Sequence, residues 1–123
     1  PVMYCLSPTI KPEAGSFVFT SNVSTDDADR AIIRFFRMRG MKRIGLVTAT
    51  DAMGQLAERI IEEALRLPEN ADVKIVGKAN FDPSDINITP QLIALKGSKP
   101  DALLAWNTGA PIGTVSVLMV ATR

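Results

Sequence analysis

Two short loops carry the residue types that recognise a small molecule. Asp51 and Met53 lie in one, and Asn107, Thr108, Gly109 and Ala110 in the other. Asp51 precedes a helical pattern, so its carboxylate either caps that helix or pairs with a cationic group of a ligand. Met53 reads as the first core residue of the helix or as an apolar pocket wall. Gly54 permits a tight turn or the close approach of a ligand. The second loop is made of small residues, and Ala110 is a poor cap for the helix opened by Pro111. Its first N–H groups are therefore free for a carboxylate, unless Thr108 caps locally and water takes the rest.

That chemistry is binding rather than bond making. The chain has no histidine, which removes His triads, His metal ligands and His general bases. Its one cysteine, Cys5, lies in an apolar run and reads as a buried strand thiol. Asp82, Asp85 and Asn87 form a polar loop without the full spacing of a calcium motif, so a solvated loop is expected. Trp106 ends a strand pattern and reads as core before it reads as a stacking platform. No glycine-rich phosphate or dinucleotide fingerprint is present. The expectation is a non-enzyme with no cofactor and no metal. Net charge is +1 over 123 residues, which gives no signal for nucleic acid or an anionic membrane. No apolar run reaches the ~20 residues of a membrane-crossing helix.

The elements that must position these loops alternate regularly. Residues 1–24 read as an interlobe segment with short β-prone runs at 2–6 and 17–19, interrupted by Pro8, Pro12 and Gly15. Residues 25–123 read as one α/β ligand-binding lobe. Ser24 to Asp27 start a helix whose apolar stripe is Ala28, Ala31, Ile32, Phe35 and Phe36, and Gly40 ends it. Residues 43–49 (RIGLVTA) form a buried strand. A second helix follows with Met53, Leu56, Ala57, Ile60, Ile61, Ala64 and Leu65 inside and Gln55, Glu58, Arg59, Glu62 and Glu63 outside. Residues 73–76 are the next strand, which can extend to Phe81. Thr89 caps a third helix with Pro90 at its first position, Ile88 staples onto Ile93, and Gly97 closes it. Residues 102–106 are the last strand, and Pro111 opens a fourth helix. The pattern at 115–121 runs apolar up to Arg123, so the expectation is a lobe incomplete at its C-terminus. An uncovered apolar edge would then invite self-association.

This alternation with short connections predicts a three-layer α/β/α lobe on a parallel, doubly wound, flavodoxin-like sheet. In strand order 2-1-3, counting from 43–49, the reversal lies between 43–49 and 102–106. Ligands in such sheets bind outside the carboxyl ends of the strands at the reversal. The loops there are 50–54 and 107–111, those picked out by residue type.

The stretch Phe17-Val18-Phe19, then Asp27 to Phe36, then Lys42 to Val47, resembles the start of the second lobe of type I periplasmic solute-binding proteins, the branched-chain amino-acid ABC transporter kind. Asp51-Ala52-Met53-Gly54 is similar to that family's acid, two residues and glycine after the strand. Ile88 to Leu92, and Lys96 to Leu104, resemble its later helix and strand. The resemblance covers nearly the whole chain.

It implies a two-lobed, periplasmic or otherwise extracytoplasmic protein, in some cases lipid-anchored. Such a protein closes on a small solute, an amino acid or organic acid, and delivers it to a membrane permease. The partners implied are the solute, a first lobe of the same protein and the permease. Second-lobe contacts would come from Asp51, Met53, Thr108 and Gly109. Family members that bind amino acids often carry aromatics where this chain has Met53 and near Thr108, so an aliphatic or aromatic carboxylate is a rival solute. A ligand-sensing domain of a receptor or regulator with the same fold is the alternative function.

Overall fold

The computed structural model describes residues 1–106; Asn107, Thr108, Gly109, Ala110 and the expected fourth helix lie outside the described residues. The elements run in chain order. Met3–Cys5 is β1, Val18–Thr20 is β2, Thr25–Met38 is α1 and Arg43–Ala49 is β3. They continue with Ala52–Leu65 as α2, Lys74–Phe81 as β4, Thr89–Lys96 as α3 and Ala102–Trp106 as β5.

Among the described residues the strands form two sheets. β1 and β2 pair parallel on their own, while β4, β3 and β5 pair parallel in that order. The second sheet is the expected one, with 43–49 at its centre. The crossover through α2 returns on one face and the crossover through α3 on the other. Their strand steps run in opposite directions, so right-handed connections place them there.

Each face has its own core. Ile44, Leu46 and Leu104 meet Ile33 of α1 and Ile61 and Ala64 of α2, together with Val73. Val47, Ala49 and Phe81 meet Leu92 and Leu95 of α3, together with Ile88. Glycines allow the second layer to seat. A Cβ at Gly45 would lie 2.5 Å from Leu103 Cδ2, and one at Gly77 would lie 2.6 Å from Leu95 Cδ1.

β4 carries an irregularity absent from the sequence reading. Ile44 faces Ile75 across the ladder, but Gly45 faces Gly77, so Val76 is an extra residue. A bulge of this kind reverses the side-chain alternation. Ile75 therefore packs with the α1–α2 core, whereas Ala79 and Phe81 pack under α3. Lys78 and Asn80 are turned toward α2, with side chains that reach Glu62 and Glu58.

The helix ends follow the sequence closely, the faces less so. Ser24 Oγ accepts from Asp27 N at 3.1 Å, and Gly40 leaves α1 in a left-handed conformation at φ 73°. The expected α1 stripe is displaced by about one position. Thr25, Asp29 and Ile33 are buried, Ile32 and Phe36 flank them, and Ala31 and Phe35 are exposed. An acid at the centre of the inward face is what apolar counting misses. Arg39 stacks over the outward Phe35 ring at 5.4 Å.

On α2, Met53 is exposed and Glu58 only half-buried, so one is less internal and the other less external than their types predict. On α3, Thr89 is inside the helix, and Asn87 Oδ1 takes its N–H at 2.9 Å. Ile93 is exposed while Ile88 is fully buried against the Leu92 and Leu95 face, so no Ile88–Ile93 staple forms.

Cys5 is only half-buried, because its strand has a single neighbour. Around it Val2, Met3, Tyr4, Phe17 and Phe19 are exposed, with Tyr4 and Phe19 stacked at 6.1 Å.

Candidate functional site

The carboxyl end of the three-stranded sheet is where strand order turns, with β3 beside β5 and β4 on its other flank. Loop 50–54 leaves β3 at that point. Its path is fixed by several bonds. Thr50 N donates to Phe81 O at 2.9 Å, Gln55 Nε2 donates to Thr50 O at 3.0 Å, and Gly54 N donates to Asp51 Oδ1 at 2.8 Å.

Asp51 is thus the N-cap of α2, in extended conformation and exposed. Gly54 is buried, and the backbone that it approaches is its own chain's. A Cβ there would lie 2.0 Å from Ala49 O. Of the two readings of this glycine, the tight turn is the one observed. Met53 points a 38% exposed apolar side chain outward from the same turn. Asp51 and Met53 are therefore brought together at the sheet's carboxyl end.

Trp106 ends β5 opposite Thr48 and packs against the α1–α2 core, in keeping with the core reading. The Asp82–Asn87 loop satisfies itself: Asp82 Oδ1 accepts from Ser84 N, and Asp85 Oδ2 accepts from Asp82 N, both at 2.9 Å. Hydrogen bonds from Ser84 hold the Asp82 carboxyl below its ordinary range.

Sequence reasoning missed a polar cluster directly beneath the loop. Thr48, fully buried in β3, donates to Glu58 Oε1 of α2. Asn80 Nδ2 of β4 donates to Thr48 Oγ1 at 2.8 Å and to Glu58 Oε1 at 2.6 Å. Lys78 lies 3.9 Å from Glu58 Oε2 and pairs more closely with Glu62. Burial alone would raise the Glu58 carboxyl, but the bonds from Thr48 and Asn80 and the Lys78 charge hold it below its ordinary value. The available signal was a polar residue, Thr48, in an otherwise apolar strand. Its partner in β4 was hidden by the Val76 bulge.

A second buried group is unsatisfied. Among the described residues neither oxygen of Asp29, nor Thr25 Oγ1 one turn earlier, has a hydrogen-bond partner. Burial, helped by the nearby Asp26 charge, pushes the Asp29 carboxyl up to about 7.

Solved structures share this fold at low sequence identity. An amino acid ABC transporter substrate-binding protein from Pseudomonas fluorescens Pf-5 superposes with a TM-score of 0.79 at 15% identity, over 98% of this chain and 33% of its own. A branched chain amino acid ABC transporter protein from Thermus thermophilus with bound valine gives 0.73 at 14% identity, over 94% and 30%. An ABC transporter solute binding protein from R. palustris in complex with benzoate gives 0.64 at 19% identity, over 76% and 25%. The chain thus spans about a third of the length of the first of these. No curated protein sequence matches it. The family model described as periplasmic binding protein matches residues 1–116, nearly the whole sequence, and the chain belongs to the periplasmic binding protein family.

Proposed function

We propose that the chain supplies much of one lobe of an extracytoplasmic solute-binding protein that serves an ABC transporter. The solute is a small amino acid or an organic or aromatic carboxylate, held in a cleft between this lobe and another and passed to a membrane permease. The observation that carries this reading is the β4-β3-β5 order, which opens loop 50–54 beside the strand reversal. Two structural neighbours hold valine and benzoate, which share a carboxylate and an apolar body.

In this reading Met53 is an apolar wall and Asp51 faces a cationic group when the solute has one. Asn107, Thr108, Gly109 and Ala110 present backbone N–H groups to the carboxylate. A single wall cannot cover most of a ligand's surface. The other lobe completes the pocket, and it also covers the exposed apolar side chains of β1 and β2.

The test is calorimetric titration of the full-length protein with valine, leucine and benzoate. Gly109→Leu is expected to block binding, and Met53→Asp to weaken it by about tenfold or more, since the buried apolar contact is lost. If both variants bind as the parent does, the two loops are plain connectors and the site assignment fails.

A further inference from the structure

The cluster under loop 50–54 has a geometry that goes beyond holding a helix to a sheet. Thr48 is the penultimate residue of β3, and Glu58 lies one turn past Gly54 in α2. The loop between them is closed at both ends. The Ala49 backbone abuts Gly54, and Glu58 accepts from Thr48 and Asn80 on the sheet below. A helix tied through its second turn to the strand feeding it cannot tilt without breaking these bonds. Asp51 and Met53 ride on its first turn.

We propose that Glu58 is a positioning residue for the ligand-facing loop. By accepting hydrogen bonds from Thr48 and Asn80, it fixes the first turn of α2 over the carboxyl ends of β3 and β4, and with it the placement of Asp51 and Met53. This rests on the reading of loop 50–54 as a solute-contacting loop, and it adds the group that preorganises that loop. A preorganised contact surface saves the ordering cost that binding would otherwise incur. Hydrogen bonds to a carboxylate are the strong kind, so loss of the acceptor leaves the buried Thr48 hydroxyl without its partner and removes one of the two bonds that Asn80 Nδ2 makes.

The test uses the full-length protein as parent, Glu58→Leu, Glu58→Gln and Thr48→Val. Amide hydrogen exchange read by mass spectrometry over residues 50–56 reports the loop directly, with residues 92–96 of α3 as internal reference. Protection over 50–56 is expected to fall by about tenfold or more in Glu58→Leu and in Thr48→Val, while the reference changes little. Glu58→Gln keeps an amide oxygen for Thr48 and Asn80, so it should restore near-parent protection. Valine and benzoate are then titrated calorimetrically. For whichever probe the parent binds, Glu58→Leu should weaken affinity about tenfold and Glu58→Gln only slightly.

If Glu58→Leu does not fold, Thr48→Val with Glu58→Gln still decides the matter. Unchanged loop protection in the variants lacking the acceptor or the donor overturns the proposal whatever the parent binds. So does a loosened loop with undiminished affinity. A parent that binds neither probe counts against the solute reading, and exchange still decides whether Glu58 positions the loop.

Discussion

Gly54 of α2 and Ala49 of β3 approach so closely that a Cβ on the glycine would lie 2.0 Å from the Ala49 carbonyl oxygen. The obstacle is backbone, so no side-chain rotation relieves it. Gly54→Ala should therefore displace the first turn of α2 and destabilise the protein by roughly 3 kcal/mol. Chemical denaturation of parent and variant checks this, and a change below ~0.5 kcal/mol would show that the turn has room to relax.

Asp51 separates two roles cleanly. Asp51→Ala removes the bond to Gly54 N and should cost about 1 kcal/mol of stability. Asp51→Asn keeps a capping oxygen and should stay within a few tenths of the parent. If the charge serves a ligand, Asp51→Asn loses affinity for solutes bearing an ammonium group at near-parent stability. Titration with valine beside benzoate reads that difference.

Asp29 gives the protein a pH dependence with a definite sign. Its folded carboxyl is raised from 3.8 to about 7 by burial and by Asp26. Between those values the folded state holds a proton that the unfolded state has released, so stability falls as pH rises through this window and levels off above it. At about 1.4 kcal/mol per pH unit the loss is of order 2–4 kcal/mol. Asp29→Asn should flatten the profile and raise the melting temperature at pH 8. An unchanged pH profile in Asp29→Asn would show that the acid is solvated or paired.

The α3 layer rests on two glycines. Gly77→Ala would place a methyl 2.6 Å from Leu95 Cδ1 and 2.7 Å from Ser98 Oγ, both ends of side chains that can turn. A cost of about 1–2 kcal/mol is expected. Leu95→Ala in the same chain should recover part of it, which a double-mutant cycle measures.

The parallel sheet was legible because Arg43 to Ala49 and Ala102 to Trp106 are short apolar runs separated by capped helices. The position of loop 50–54 followed from strand order alone. The inward faces of the helices were harder to read. Asp29 and Glu58 are turned inward although both are acids. Apolar counting assigns such residues to solvent, and only the partners Thr48 and Asn80 explain Glu58. Asn80 itself was unreadable as a partner, since odd-numbered residues from Val73 to Phe81 would share one face in a regular strand. The bulge at Val76 breaks that rule, and Gly77 beside it, a glycine inside a strand run, was the available signal for it. The Thr89 cap was misplaced by one residue: Ile88 holds the N-cap position without a side-chain bond, and Asn87 Oδ1 accepts from the Thr89 N–H instead.

The change of side at Val76 also bears on cooperativity. Ile75 packs with the core beneath α1 and α2, and Phe81 belongs to the core beneath α3, yet only five residues of one strand lie between them. Pulling β4 from β3 exposes part of both cores at once. The two helical layers, which share no buried side chain in their core clusters, should therefore melt together rather than peel off one after the other. Slow exchange in the middle of β3 should then disappear in the same transition as protection in α1 and in α3. β3, β4 and β5 each lend side chains to both cores, so the sheet is the seam that makes two half-cores one unfolding unit.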